Sequence, residues 1–187
     1  MRPQKVMDAE IFKGLGTVLR ARGYDGASLN ELASATGLKK ASLYHRFPGG
    51  KQEMTAAVLT HLGQWVEEHI FNPLSDENMA PKERVINGIA GIKELYNGGR
   101  EICIFRALSM ESGLELFHKQ ISDGMRQWIN AFKNVGISFH LTPKVAEERA
   151  IETLVKIQGS LVVSKGLNDL SVFENALEQI EDYYLKM

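Results

Sequence analysis

The sequence lacks the features that mark secreted, membrane-spanning and disulfide-stabilised proteins. Its 187 residues include a single cysteine, Cys103, which excludes an internal disulfide framework and fits a reducing cytoplasm. No apolar run approaches the roughly 20 residues that a membrane-spanning helix needs. The N-terminal segment carries Asp8 and Glu10 where a signal peptide is apolar. These absences predict a cytoplasmic protein that does not associate with a membrane.

Motifs typical of catalysis and metal binding are also missing. The sequence contains no G-x-S-x-G, no P-loop and no G-x-G-x-x-G. His61 and His69 flank two glutamates, but no H-E-x-x-H or paired Cys/His spacing accompanies them, so exposed helix surface is favoured. We therefore predict no enzymatic activity, no cofactor and no bound metal. Cys103, between two isoleucines, is predicted to be buried and inert, and a redox-sensing thiol is the alternative.

Helical periodicity dominates the chain, and signals for strands are nearly absent. Gly23 ends a first helix, and Ser28 with Glu31 forms a capping box that begins a second helix, which Gly37 ends. Ser171 with Glu174 repeats the capping-box spacing before the last helix. After the first two, the predicted helices cover roughly 39–46, 51–71, 82–96, 101–112, 114–135, 143–166 and 172–185. The sequence thus predicts an all-α protein with nine helices and a loop over 72–81.

The small net charge of −1 conceals an uneven distribution. Residues 1–51 carry nine Lys or Arg against four Asp or Glu, a balance of +5. The remaining residues, 52–187, carry 13 against 19, a balance of −6. A basic N-terminal region on an acidic body indicates that only the N-terminal region meets a polyanion.

Two short helices joined by a tight glycine turn, with a helix before them, form a helix-turn-helix pattern. The second helix of such a pair enters a DNA groove about 12 Å wide, so it is short and exposes its N-terminal face. Leu43 and Phe47 are expected to face inward. The polar residues at this face and at the neighbouring helix starts are the DNA-contact candidates: Ser28, Lys39, Lys40, Ser42, Tyr44, His45 and Lys51. Lysine can donate to guanine acceptors or to phosphate, and serine and tyrosine hydroxyls suit phosphate oxygens.

The segment SLNELASATGLKKASLYHRFPGGK resembles the DNA-binding signature of TetR-type transcriptional repressors. The shared features are a Ser/Thr-capped helix, the Ala-x-x-x-Gly turn, Leu-Tyr-x-x-Phe and a lysine at the next helix. The FPGGK form has one residue more than the common F-x-x-K and is similar to the LmrA/YxaF-like subgroup. Lys39 stands where the family often has a capping Ser or Thr, so we expect the third helix to begin without a side-chain cap.

The resemblance implies an N-terminal three-helix DNA-binding domain, residues 1–51, and a C-terminal helical bundle for ligand binding and dimerisation, residues 52–187. It implies a ligand-responsive repressor, a homodimer that binds a palindromic operator in double-stranded DNA. A small apolar or aromatic effector in the C-terminal domain then releases the DNA. By position, the resemblance implies base contacts from Lys40 and Ser42, and phosphate contacts from Tyr44 and Lys51.

Bulky side chains in the body have two interpretations. Trp65, Phe105, Met110 and Trp128 are candidates for lining an effector cavity, and each is also compatible with ordinary core packing. The last two helices carry apolar faces wider than a lone surface helix needs, with Gly159 and Ser160 among them. These faces predict a four-helix dimer interface, and internal burial in a monomer is the alternative.

Two other functions compete with DNA binding. An all-helical carrier or enzyme for a small molecule would use the N-terminal region only as a docking lobe, but no catalytic constellation supports it. A helix-turn-helix used for protein contact would not require the balance of +5 in residues 1–51.

Overall fold

All regular structure in the part of the chain that the computed structural model describes, residues 7–186, is helical. The predicted all-α fold is therefore confirmed. The first six residues of the predicted DNA-binding domain and Met187 lie outside the described residues. The α-helices are, in chain order, α1 Asp8–Gly26, α2 Leu29–Thr36, α3 Lys40–Arg46, α4 Gly50–Val66, α5 Asn72–Ser75, α6 Pro81–Leu95, α7 Ile104–Leu108, α8 Glu111–Ser138, α9 Pro143–Leu167 and α10 Ser171–Leu185.

The predicted loop over 72–81 is wrong at its start, because the helical path continues through α5. A π-helical turn, Glu67–Phe71, follows α4 directly, and the Asn72 amide donates to the Glu67 carbonyl oxygen. Pro73 has no N–H, so it cannot donate to the His69 carbonyl oxygen four residues earlier. Gly91 of α6 packs against that same oxygen, where no Cβ would fit. The irregular turn and the glycine together let the helix pass a proline.

The predicted helices 101–112 and 114–135 have a different boundary in the structure. The chain breaks at Ser109 and Met110, and α8 begins at Glu111, whose φ is +45°. Gly113 lies in the first turn of α8, where a Cβ would come within 2.8 Å of the Leu108 carbonyl oxygen. This glycine therefore serves close packing and does not end a helix.

The predicted capping box of Ser171 and Glu174 is also wrong. Leu170 occupies the N-cap position of α10 and makes no side-chain cap. The Ser171 amide donates instead to the Asp169 carboxylate at 2.9 Å. Hydrogen bonds from Ser171, first from its side chain and then from its backbone, lower the pKa of Asp169. Asp169 therefore supplies the negative charge that favours this helix N-terminus.

The described chain forms two compact units, which differ from the predicted division after residue 51. The first unit contains the chain up to Leu62 together with Ile104–Ile121, and the second contains Gly63–Cys103 with the chain from Ser122 onward. Helix α4 has no break at 51 or 52, and Tyr24 of α1 packs edge-on against Phe117 of α8 at 5.4 Å. The boundary of the first unit after Leu62 thus falls inside α4, and aromatic packing joins the start of α8 to α1 within that unit. The predicted functional division stays a prediction.

The core of the first unit comes from one face of each of its helices. Gly14 allows α1 and α2 to cross closely, because a Cβ there would overlap the Ala35 carbonyl group. Gly23, which was predicted to end the first helix, kinks α1 with a φ of +69°, and the helical path continues to Gly26. The fully buried side chains that join α1 to α4 are Ile11, Leu15, Leu19, Leu32, Leu43 and Met54.

The second unit is centred on aromatic side chains. Trp128 packs edge-on against Phe71 and stacks on Phe132, and Phe132 stacks on the buried Tyr184 of α10. Gly88 and Gly91 bring α6 close to Leu74 and to the π-helical turn. Cys103 is buried, as predicted. Among the described helices, none is long and apolar enough to span a bilayer.

Candidate nucleic-acid interface

The corner between α2 and α3 is built from a capping box and a left-handed glycine. The Glu31 amide donates to Ser28 Oγ at 3.2 Å, and the Ser28 amide donates to Glu31 Oε2 at 3.1 Å, so the predicted capping box is confirmed. Gly37 has a φ of +67°, and its amide donates to the Ser34 carbonyl oxygen. Nothing lies within 4 Å of a Cβ built at Gly37. The corner therefore needs glycine for its backbone conformation, not for space.

Helix α3 exposes nearly all of its surface. Over its seven residues only Leu43 is buried, and Phe47, which follows the helix, is 5% exposed. Both face inward, as predicted. The exposed members of the predicted contact set on or beside α3 are Lys39, Lys40, Ser42, Tyr44 and His45.

The start of α3 has a concentrated positive charge. Lys39 is the N-cap residue and makes no side-chain cap, as the sequence predicted. Within residues 7–186, no ion pair involves Lys39 or Lys40. The third cation of this helix is different, because Arg46 pairs with Asp8 at 2.7 Å and lies over the Phe47 ring. The two ammonium groups are therefore available to an external anion.

Ser28 is exposed, but its hydroxyl already has partners. Ser28 Oγ accepts from the Glu31 amide and donates to Glu31 Oε2 at 2.7 Å. Arg22 Nε donates to the other carboxylate oxygen, Oε1, at 3.1 Å. The Ser28 hydrogen bonds, followed by the nearby Arg22 charge, lower the pKa of Glu31. Ser28 thus brings a fixed helix N-terminus to this surface.

The FPGGK turn places Tyr44 beside the start of α4. Gly50 has a φ of +66°, and a Cβ built there would lie 3.5 Å from Tyr44 Cε1. The Gly49 amide donates to Glu53 Oε2 at 2.6 Å, which caps α4 from within. Tyr44 itself is 44% exposed. The additional glycine thus gives a compact turn on which an exposed tyrosine rests.

Lys51 differs from the other predicted contacts because its ammonium group is engaged inside the first unit. Its Nζ donates to the Ala27 carbonyl oxygen at 3.3 Å. The same atom lies 4.4 Å from the centroid of the Tyr24 ring. Lys51 is half-buried, whereas Lys39 and Lys40 are exposed.

The four predicted effector-contact residues fall in different units. Phe105, half-buried, and Met110, 69% exposed, belong to the first unit. Trp65 and Trp128 belong to the second unit. Trp128 is in the aromatic core, and the half-buried Trp65 stacks on His69 with ring centroids 4.3 Å apart.

Sequence comparison identifies the helix-turn-helix segment. Residues 17–58 match the family model of bacterial regulatory proteins of the tetR family. The regulator YxaF of Bacillus subtilis is 35% identical over 68 residues, which are 36% of this chain and 35% of YxaF. LmrA of the same organism is 28% identical over 61 residues, 33% of this chain and 32% of LmrA. The chain therefore covers about a third of each of these relatives.

Longer similarities extend over the whole chain at lower identity. A transcriptional regulator in the lacX 3′ region of Lactococcus lactis is 22% identical over 177 residues, 89% of this chain and 87% of the relative. The crystal structure of a TetR regulator from Legionella pneumophila has a TM-score of 0.80, with 17% identity and coverage of 98% and 99% of the two chains. The regulator CifR, solved with 26-bp operator DNA, has a TM-score of 0.71 and 24% identity over 95% and 98%. Residues 17–58 therefore carry the tetR-family helix-turn-helix, and the chain around them has the all-helical fold of solved TetR regulators.

Proposed function

We propose that the protein is a repressor that binds a palindromic operator as a homodimer and leaves it when a small apolar or aromatic effector binds. The exposed face of α3, with Lys39 and Lys40 at its start, is the observation that carries the proposal. Seven residues with one buried side chain suit a helix that lies in a major groove. CifR, which was solved with operator DNA, supports the same use of the fold. A regulator of this kind acts in the cytoplasm.

Each exposed member of the predicted contact set has a proposed contact. Lys40 is the first residue of α3 and Ser42 lies in its first turn. We assign both to base edges, where lysine donates to the guanine acceptors. Lys39 and His45 flank them and are assigned to phosphates. Tyr44, in α3 beside the FPGGK turn, presents its hydroxyl to a phosphate oxygen. Ser28 brings the N-terminus of α2 to the same backbone.

The homodimer is supported by an apolar stripe on the outer side of α9. The stripe consists of Ile151, Val155, Gly159, Val162, Val163, Gly166 and Leu167, spaced so that they share one side of the helix. Val155 is 65% exposed and Leu167 is 66% exposed. Nothing lies within 4 Å of a Cβ at Gly159 or Gly166. A second copy packed on this stripe would bury apolar side chains that otherwise face water.

Ser160 was expected in the dimer interface with Gly159, but it lies on the inner side of α9. It is 8% exposed, and its hydroxyl donates to the Ile157 carbonyl oxygen at 2.9 Å within the helix. It therefore faces the interior of its own subunit. The close approach of a second copy is proposed at Gly159 and Gly166 alone.

An aromatic effector is a proposal that the two tryptophans make easy to test. Trp65 and Trp128 are the two tryptophans of the sequence, and both belong to the second unit. Trp65, half-buried and stacked on His69, offers a ring face to a flat molecule, and Trp128 is a wall of the aromatic core. Phe105 and Met110 are the proposed effector contacts in the first unit. Single-tryptophan variants Trp65→Phe and Trp128→Phe would show, by fluorescence quenching, which indole an effector approaches.

The test of DNA binding is selection of bound fragments from genomic DNA, followed by titration of a selected duplex at several salt concentrations. We expect a palindromic consensus and an affinity that falls steeply with salt, because each neutralised phosphate releases counterions. A protein that binds no duplex at low ionic strength would contradict the proposal. The alternative of a helical carrier or enzyme predicts that result, together with binding or turnover of a small molecule.

A further inference from the structure

Lys51 has two partners within the first unit that compete with any DNA phosphate. Its ammonium donates to the Ala27 carbonyl oxygen at 3.3 Å and lies over the Tyr24 ring at 4.4 Å. An aromatic face attracts a cation most strongly when the cation is partly shielded from water, and Lys51 is half-buried. The hydrogen bond joins residues 24 positions apart, the end of α1 and the start of α4.

Tyr24 is held in place by the segment that contains α7 and the start of α8. Its ring packs edge-on against Phe117 at 5.4 Å, and a Cβ added to Gly113 would come within 3.1 Å of Tyr24 Cβ. The preceding residue, Gly23, packs equally closely against the same segment, because a Cβ added to Gly23 would lie 3.0 Å from the Ala107 carbonyl oxygen. Burial, and then the charge of Asp25, raise the pKa of Tyr24, so the ring is neutral at physiological pH. The ring therefore has one defined position under the ammonium group.

The carbonyl group that Lys51 holds belongs to the corner at which α2 begins. Ala27 is 1% exposed and directly precedes Ser28, the N-cap of α2. The Glu31 amide bonds to the Ser28 hydroxyl, and the Leu32 amide bonds to the Ser28 carbonyl oxygen. A displacement of Ala27 would loosen both hydrogen bonds. It would also shift α2, and with it α3, which is joined to α2 through the turn at Gly37.

We propose that Lys51 and Tyr24 are positioning residues for DNA binding: the Lys51 ammonium, seated on the Tyr24 ring, fixes the Ala27–Ser28 corner and does not neutralise a phosphate. This assignment replaces the phosphate contact expected from the sequence and rests on the proposed DNA-binding function. Phe117 supports the Tyr24 ring from α8, so the seat depends on how that segment packs. The exposed Lys39 and Lys40 then supply the cationic contacts.

The salt dependence of binding separates a positioning lysine from one that contacts phosphate. Affinities of the wild-type protein, Lys51→Met, Tyr24→Leu and Lys39→Met are measured on one selected duplex at several salt concentrations. Lys39→Met should reduce the slope of log K against log salt by about 0.9 for each phosphate that the variant no longer neutralises. Lys51→Met and Tyr24→Leu should each weaken binding by about threefold to tenfold with the wild-type slope. Tyr24→Phe, which keeps the ring face, should restore wild-type affinity.

The opposite results would overturn the proposal. If Lys51 contacts a phosphate, Lys51→Met lowers the slope as Lys39→Met does. In that case Tyr24→Leu, which frees an intact ammonium group, leaves the affinity unchanged or raises it. Tyr24→Leu therefore decides the question even where Lys51→Met fails to fold.

Hydrogen exchange without DNA tests the corner independently of the DNA-binding function. In Lys51→Met and Tyr24→Leu, the amides of Glu31 and Leu32 should exchange about threefold to tenfold faster, with no such change in Lys39→Met. Unchanged exchange at these two amides would overturn the positioning role. A wild-type protein that binds no DNA would contradict the proposed function and leave this measurement to decide the role of Lys51.

Discussion

Helices α3 and α9 both leave one side uncovered, and the chemistry of the two uncovered sides is opposite. On α3 the exposed side carries two lysines and hydroxyl groups, whereas on α9 it carries valines, an isoleucine and two glycines. Exposed ammonium groups are well hydrated, so the surface of α3 costs little when nothing is bound. An apolar stripe in water is unfavourable and calls for a permanent cover. The surface of α3 is therefore compatible with a polyanion that binds and dissociates, and the stripe on α9 with a second copy of the chain that stays bound.

The largest expected effect comes from a charge on the α9 stripe. Val155→Asp would place a carboxylate from each subunit in the proposed apolar interface, where neither finds a partner. We expect a monomer near 20.9 kDa in analytical ultracentrifugation, in place of a dimer. Operator affinity should fall about a hundredfold or more, because the two DNA-binding domains are no longer linked and bind their half-sites independently.

A matched substitution on the same helix controls for added charge. Lys144→Asp puts a carboxylate on a side chain that is 85% exposed and lies about two helical turns before Ile151, the first residue of the stripe. It should remain dimeric and keep its operator affinity within about threefold. A wild-type protein that sediments as a monomer would show that the stripe is not a dimer interface.

A smaller effect is expected on the cationic side of α3. Lys40→Ala should weaken binding to the selected operator by about tenfold and relax the base preference at one position in each half-site. Binding to random duplex should weaken less, because a base contact adds nothing there. Parallel fluorescence-anisotropy titrations on the two duplexes measure the difference.

Lys39→Ala, at the neighbouring exposed position, is the matched comparison. If Lys39, at the N-cap, contacts a phosphate, its loss should weaken binding to the operator and to random duplex alike. Equal losses on both duplexes for Lys40→Ala would show that Lys40 does not read a base.

The turn that presents α3 gives an effect on stability rather than on binding chemistry. Gly37→Ala should lower the free energy of unfolding by about 1–2 kcal/mol, because the φ of +67° is unfavourable for a residue with a Cβ. Gly63→Ala is the control, since Gly63 lies inside α4 with open space around it and should gain up to about 1 kcal/mol. Thermal unfolding of both variants measures the contrast. A neutral Gly37→Ala would mean that the turn does not require glycine.

The sequence predicts the elements whose determinants are local. The capping box at Ser28 depends on residues within one turn, and so does the left-handed turn at Gly37. The inward side of α3 follows from the helical spacing of Leu43 and Phe47. These features, with the two exposed lysines, were sufficient to indicate the helix-turn-helix and its surface.

Features set by contacts between distant residues were beyond the sequence. Nothing in the spacing around Lys51 shows that a carbonyl oxygen 24 residues earlier accepts a hydrogen bond from its ammonium group, or that the Tyr24 ring lies beneath it. In the sequence Gly113 falls between two predicted helices, whereas in the structure it packs against Leu108 and Tyr24. Asp169, two residues before Ser171, took the capping role because its carboxylate reaches the first amide of α10. Tertiary packing decided the cases of Lys51 and Gly113, whereas the cap at Asp169 is a local hydrogen bond that the Ser171–Glu174 spacing concealed.

The smallest effect at neutral pH is expected on the inner side of α9, which contrasts with its exposed stripe. The Tyr184 hydroxyl lies 3.3 Å from the Thr153 hydroxyl of α9, and Tyr184 is fully buried. Tyr184→Phe should cost about 1 kcal/mol at pH 7, because a buried hydroxyl loses its partner. Burial also raises the pKa of Tyr184 to about 12, with the Thr153 hydrogen bond acting in the opposite direction.

This raised pKa predicts the sign of an alkaline effect. Below about pH 10, Tyr184 is neutral in both the folded and the unfolded chain, so its contribution to stability is constant. Between about pH 10 and 12 the unfolded chain loses the phenol proton and the folded chain keeps it, so the free energy of unfolding falls as pH rises. Tyr184→Phe should therefore lose less stability than the wild type over this interval in urea unfolding. The control is Tyr183→Phe, at a neighbouring side chain that is 42% exposed, and it should follow the wild-type pH dependence. If Tyr184→Phe shows the wild-type slope as well, the phenol of Tyr184 ionises as readily in the folded chain as in water, and the inner side of α9 is not closed.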